Sequence, residues 1–352
     1  VDPVTSIADR SGVVADVENR LRKVAKTVRR SMLDAMPDGE PSRWLYGPMR
    51  EYPSRPGKAL RPALCLTASR AFGAEPDALL GIAVAIELLH NAFLVHDDIA
   101  DGSEMRRGRP TLAAMHGMAA ALNAGDGLAI VAGQVLRKAT RLLDGDLADL
   151  VWHEFDTMAM RTLEGQAIEV GWQLDNVEDL KPDDYLDLIM HKTCWYTTIH
   201  PLRVGALVGS GGTADLAPLV RFGFHFGAAF QIRDDLLNLV GDERAYGKEI
   251  LGDLYEGKRT LPLVHLLATA AGADRALVRD YLARNRSERS ELVAAVRALM
   301  DDYGSIAYTS EYAEGILLVA EEYFEQAFAG ARPGPDLDFL RALVPYVWAR
   351  WR

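Results

Sequence analysis

Three aspartates, Asp97, Asp98 and Asp101, close an apolar run in the stretch Leu89–Pro110, LHNAFLVHDDIADGSEMRRGRP. The run from Leu79 to Val95 reads as a buried helix. If that helix continues, Asp97 and Asp101 lie one turn apart on one face. Carboxylates so placed repel unless a cation sits between them. Hard oxygen donors with open positions suit Mg2+, which proteins hold through one or two carboxylates plus substrate phosphates. Just downstream, Arg106, Arg107 and Arg109 offer guanidinium groups that match phosphate oxygens bidentately. An acid cluster followed by a basic fork is what a metal–diphosphate site needs, although a solvated helix end carries similar letters.

A second stretch echoes the first. Phe230-Gln231-Ile232-Arg233-Asp234-Asp235-Leu236-Leu237-Asn238 again sets an Asp pair on an apolar helix. A glycine-spaced loop with Lys248 and Lys258 follows, from Gly247 to Pro262. One such arrangement is weak; two in one helical chain are hard to explain as solvated faces. Facing each other, they could hold several Mg2+ ions and a diphosphate.

Smaller signals fit around these two. Lys58 and Arg61 sit at a predicted helix start, where free N–H groups and the helix dipole favour a phosphate; two surface cations would look the same. His90 lies about two turns before Asp97 on the same face, either a satisfied core histidine or a phosphate contact. His96 adjoins the acid pair. Phe93 precedes Asp97 by one turn, as core or as cavity wall. Glu164-Gly165-Gln166 and Glu169 interrupt a core-like helix. Lys192-Thr193 stands among apolar neighbours, where the lysine either snorkels outward or reaches an anion.

The elements that must position these residues are helices. Apolar residues recur at three- and four-residue spacing over Asp9–Met36, Lys58–Phe72, Pro76–Asp101, Met118–Leu143, Leu147–Leu174, Pro182–Val208, Thr213–Val240, Leu261–Ala271, Asp274–Asn285, Arg289–Asp302, Ser305–Gly330 and Asp336–Trp351. Strand signals are almost absent. Pro201 should kink or end its helix. No linker-like shift in composition divides the 352 residues, so one all-α domain over residues 1–352 is expected. A chain of this length buries a sizeable core.

Lys plus Arg number 39 and Asp plus Glu 50, a net charge of −11. That argues against a nucleic-acid partner, which wants a basic face. Cys65 and Cys194 alone imply a reducing compartment without a disulfide framework. The first residues lack the apolar centre of a signal peptide. No run of about 18 uncharged apolar residues stands out as a transmembrane segment. A cytoplasmic protein is expected.

Taken together, these motifs resemble the trans-isoprenyl diphosphate synthases, or polyprenyl synthetases, from about Gly57 to Pro262. Asp97, Asp98 and Asp101 with Arg106-Arg107-Gly108 match DDxxD followed by RRG. Phe230, Gln231, Asp234 and Asp235 match FQxxDD. The GKxxRP, KT and GDLxEGKxTxP elements are present too. The resemblance implies a barrel of helices with both acid motifs at the mouth of a deep apolar cavity, and three Mg2+ ions per active site. Asp97, Asp101 and Asp234 would ligate metal, supported by Asp98 and Asp235. Arg106, Lys192, Gln231, Lys248 and Lys258 would hold an allylic diphosphate, and Thr193 would face the reacting carbons. Lys58, Arg61, His90 and Arg107 would hold isopentenyl diphosphate, with Arg350 or Arg352 closing that site. A homodimer is the family expectation.

Three departures stand out. Asn238 replaces a usual third Asp, which should weaken metal binding there. Glu169 stands where Asp is common, and Arg55-Pro56 replaces glycine before Gly57-Lys58. The chain-length wall would be Ala92 and Phe93, with Leu89 and Ile86 a turn below. One large and one small residue favour geranylgeranyl diphosphate, then farnesyl diphosphate. A terpene cyclase on the same fold would not need the isopentenyl site. A non-catalytic partner subunit would show decay of an aspartate motif, toward which Asn238 points.

Overall fold

The run that ends in the first aspartates forms one helix, Ala78–Ala100, buried along most of its length. A helix apolar nearly all round must be sheathed by others. Met118–Thr140 packs along it, joined by Leu60–Phe72 and the N-terminal Ile7–Asp34. Leu60–Phe72 packs in turn on His200–Gly209, while Ala217–Val240 lies against both Ser305–Ala327 and the segment Met190–Ile199. Gly145–Leu174 flanks that same segment. This computed structural model describes residues 7–241 and 250–349. Lys248, Arg350 and Arg352 fall outside them.

The fold is all-α. Among the described residues the only strands are Met105–Arg106 and Arg109–Pro110, an antiparallel pair. Prolines enter the first turns of Pro182–Ile189, His200–Gly209, Ala217–Val240 and Leu261–Thr269, where a missing N–H leaves no bond unmade.

The expected Pro182–Val208 helix is divided into three parts. After Ile189 the backbone widens into a π-helix, Met190–Ile199, before α-helix resumes at His200. Pro201 lacks an N–H and its ring would clash with a carbonyl one turn back; the wider turn absorbs both demands. The spacing rules also missed Gly47–Ser54 and Leu112–His116, which are too short to show a period. Two helices, Ala78–Ala100 and Met118–Thr140, are long and apolar enough to span a bilayer, which the sequence reading did not pick out. The apolar window of the first is 78% buried inside the protein, as a core helix requires.

Two close crossings hold the bundle. A Cβ at Gly205 would meet the Cys65 carbonyl oxygen at 2.4 Å, and one at Gly209 would meet that of Ser69 at 2.1 Å. These contacts are with backbone, so they yield only if a helix moves. Gly209→Ala is expected to destabilise the fold by about 1–3 kcal/mol through overpacking, read as a lowered urea midpoint. An unchanged midpoint would mean that the helices separate freely.

Candidate active site

Burial sets the terms of the site. Asp97, Asp101 and Glu169 each bring a carboxylate oxygen within 4.8 Å of the other two. Asp97 and Asp101 come from one helix end, and Glu169 from Gly145–Leu174. Two lysines balance them. Lys192 Nζ lies 3.0 Å from Asp97 Oδ1 and bonds Glu169. Lys258 Nζ donates to Asp101 Oδ2 at 2.6 Å and pairs with Glu256 at 2.9 Å.

Burial alone would raise Asp97, but Lys192, Lys258 and Arg106 hold it well below the usual carboxylate range. Asp101 is pushed up to about 7 by burial and by the charges of Asp97, Glu256 and Glu169, against the pull of Lys258. Both lysines are partly buried, and desolvation would lower them, yet the surrounding carboxylates keep them charged. Clustered hard oxygens held together by nearby cations fit a divalent metal ion.

Lys192 owes its place to backbone contact. A Cβ at Gly165 would meet the Lys192 backbone nitrogen at 2.2 Å. Glycine there lets the two segments touch, and Glu169, one turn on, then reaches the ammonium. This gives the Glu164-Gly165-Gln166 stretch its physical reason.

The second acid pair shares the cavity, a cleft of about 260 Å³. Asp234, Asp235, Gln231 and Phe230 line it, as do Asp97, Lys192, Thr193 and Lys258. Asp235 is buried and fixed: Tyr185 donates to it at 2.6 Å and Gln231 at 2.7 Å. Burial pushes Asp235 up to about 7, and the Asp234 charge adds to this.

Asn238 is not among the lining residues. Its side-chain oxygen accepts the Asp253 N–H at 3.0 Å, and its carbonyl accepts the Leu251 N–H at 2.7 Å. It anchors the segment that leads to Lys258, a task for which an amide oxygen serves as well as a carboxylate. The expected weakening of metal binding therefore lacks a geometric basis.

The basic fork rides on the two-strand hairpin. Arg107 and Gly108 form its turn with φ of 55° and 71°, the left-handed pair that tight hairpins require. Arg106 is buried and grips Asp98, with Nε at 2.7 Å from Oδ1, and reaches Asp97 at 3.5 Å. Asp98 also accepts from Tyr52. Asp98 thus faces inward, anchoring the motif. Arg107 lines the cavity, and its guanidinium lies over Gly57, where a Cβ would meet it at 3.1 Å. Arg109 differs from expectation: it turns to Glu51 at 3.3 Å, on the Gly47–Ser54 helix, and does not line the cavity.

Arg61 and His90 line the cavity as expected; Lys58 is exposed outside the lining. The residues expected to set chain length do not line the cavity. Leu89 and Ala92 are buried in the core, and Phe93 packs behind Tyr196 rather than lining the cavity; Leu94 takes that place.

The motifs do not single out Tyr52, Tyr185 or Glu256, and Arg55 stands out in the sequence only as a departure before Gly57-Lys58. Arg55 donates to the carbonyls of Arg106 and Pro110 at 2.9 and 2.7 Å, clamping the hairpin.

Residues 42–300 match the family model for polyprenyl synthetases. A short chain isoprenyl diphosphate synthase of Methanothermobacter thermautotrophicus is 33% identical over 269 residues, covering 76% of this chain and 80% of that one. A (2E,6E)-farnesyl diphosphate synthase of Mycobacterium bovis is 34% identical over 75% of this chain and 74% of its own. The crystal structure of a geranylgeranyl pyrophosphate synthetase from Pyrococcus horikoshii superposes with a TM-score of 0.81 at 29% identity, covering 96% and 98% of the two chains. The chain belongs to the polyprenyl synthetase family, and it is a chain-elongating trans-prenyltransferase.

Cation binding should depend on pH with a definite sign. Below about 7 Asp101 holds a proton that a metal ion must displace, so affinity should rise about tenfold per pH unit up to that point and then level off. Calorimetric titration of the protein with MgCl2 at pH 6 and pH 8 checks this. Equal affinity at the two pH values would contradict it.

Proposed function

We propose that the protein condenses isopentenyl diphosphate with an allylic diphosphate, using Mg2+, three ions per active site. Asp97, Asp101 and Asp234 hold the metal, with Glu169 beside them. What carries the reading is one cavity that gathers Asp97, Asp234, Lys192 and Lys258 from four separate segments. Bound Mg2+ supplies Lewis-acid stabilisation of charge on the leaving diphosphate.

The chain's own residues do the rest. Lys192, Lys248, Lys258, Gln231 and Arg106 hold the allylic diphosphate, so negative charge grows where fixed cations already stand. Asp98 and Asp235, pinned by Tyr52, Arg106, Tyr185 and Gln231, keep the metal-facing carboxylates aligned. Thr193 faces the reacting carbons. Lys58, Arg61, His90 and Arg107 hold isopentenyl diphosphate, whose double bond attacks the ionised allylic carbon. Apolar walls at Leu94, Leu188, Ile189 and Phe230 keep water from the cation. A proton then leaves, with released diphosphate as acceptor.

Residues 1–352 act as one domain in this reading. It is paired as a homodimer that covers apolar side chains exposed on two helices, including Met118, Leu122, Ile130 and Met160. Geranylgeranyl diphosphate is the favoured product, then farnesyl diphosphate.

The test is extension of dimethylallyl, geranyl and farnesyl diphosphates with labelled isopentenyl diphosphate and Mg2+, product length being read after dephosphorylation. An elongated product is expected, and Lys258→Ala should lower kcat by about 10²–10³-fold with the fold intact. A cyclised hydrocarbon from an allylic substrate alone, or no product from any primer, would refute the reading.

A further inference from the structure

Two carboxylates hold Lys258, and they differ in position. Asp101 Oδ2 accepts from Nζ at 2.6 Å and belongs to the clustered acids proposed to hold metal. Glu256 Oε2 stands 2.9 Å from the same ammonium. It belongs neither to that acid cluster nor to the lining of the cavity, yet its side chain is only 8% exposed. Its other oxygen, Oε1, accepts the Ser103 hydroxyl at 2.9 Å and the Arg286 guanidinium at 3.3 Å. Arg286 Nη1 also reaches the Asp101 carbonyl oxygen at 3.4 Å. Burial would raise the Glu256 carboxyl, but Lys258 and Ser103 hold it below the usual carboxylate range. The backbone around it is fixed as well. Arg289 Nη1 donates to the Glu256 carbonyl at 2.7 Å. Gly257, at φ 73°, turns the chain so that the Lys258 N–H meets the Asp253 carbonyl at 2.9 Å. One carboxylate thus joins the end of the first aspartate motif, the Lys258 loop and the short helix Arg286–Arg289.

We propose that Glu256 is the positioning residue for Lys258: it keeps hold of the ammonium when Asp101 turns to metal, and through Ser103 and Arg286 it fixes the Lys258 loop against the first aspartate motif. This rests on the prenyl-elongation reading of the same site. A lysine is a compact charge on a flexible four-carbon stem. Released by Asp101 with no second anchor, it regains rotamer freedom that must be lost again when it meets a phosphate. A fixed carboxylate outside the cavity prevents this, because two further donors hold it in place from the other side. Without that charge Asp101 alone would hold Lys258, and metal and diphosphate would have to break that pair unaided.

Glu256→Gln keeps the shape and an acceptor oxygen but removes the charge. It is expected to raise KM for the allylic diphosphate about tenfold, the scale of one hydrogen bond to a charged group. KM for isopentenyl diphosphate should stay the same, because Arg61, His90 and Arg107 take no part in this network. Ser103→Ala, which leaves the Glu256–Lys258 pair but frees one side of the carboxylate, should raise the same KM by a smaller factor. A merely structural loss would move both KM values together.

The experiment is two-substrate kinetics on wild type, Glu256→Gln and Ser103→Ala, with calorimetric binding of farnesyl thiolodiphosphate in MgCl2 as a readout independent of turnover. Weaker binding of the analogue, in step with the allylic KM, is expected. An unchanged allylic KM in both variants, or an equal rise in both KM values, would overturn the role of Glu256 while leaving the synthase reading intact. Should Glu256→Gln fail to fold, Ser103→Ala decides by the same criterion. Failure of wild type to elongate any primer would overturn both.

Discussion

Three carboxylates share one buried pocket, and the surrounding structure is arranged around that repulsion. Carboxylates as close as those of Asp97, Asp101 and Glu169 repel one another in a low-dielectric interior without counter-charge. Lys192 and Lys258 supply it, each bridging two carboxylates. In the proposed mechanism the same ammonium groups also meet the diphosphate, exchanging these carboxylate partners for phosphate oxygens.

Holding such a network demands exact backbone placement from segments far apart in sequence. Gly165 brings the Lys192 backbone against the Glu169 helix. The π-helical widening ahead of Pro201 sets the direction of Lys192, Thr193 and Tyr196. Arg55 and Tyr52 tie the hairpin and the first aspartate motif to one short helix. Asn238 fixes the loop that delivers Lys258. These residues touch neither metal nor substrate in the proposed mechanism, yet each fixes the place of one that does.

Much of this was legible in the sequence. Periodicity located the long helices to within a few residues, because each buries a continuous apolar stripe. The two aspartate clusters and their lysines were readable because charged residues at helical spacing on an apolar run are costly unless used. What stayed hidden depends on contacts between distant segments. Nothing local in Glu256 says that Ser103 and Arg286 will meet it. Asn238 read as a weakened metal ligand because its neighbours are aspartates, whereas its oxygen faces a backbone N–H. Arg109 looked like part of a phosphate fork until the hairpin turned it toward Glu51. Pro201 announced a disturbance, but not that the helix would absorb it by widening.

The central claim is that Lys258 and Lys192 serve as counter-ions that change partners when metal and diphosphate arrive. A crystal structure of the protein with Mg2+ and a non-ionisable allylic diphosphate analogue tests this most directly. Lys258 Nζ is predicted to leave its 2.6 Å contact with Asp101 and bond a phosphate oxygen, while Asp97 and Asp101 turn to the metal. Lys258 still paired with Asp101, and the diphosphate held elsewhere, would contradict the account.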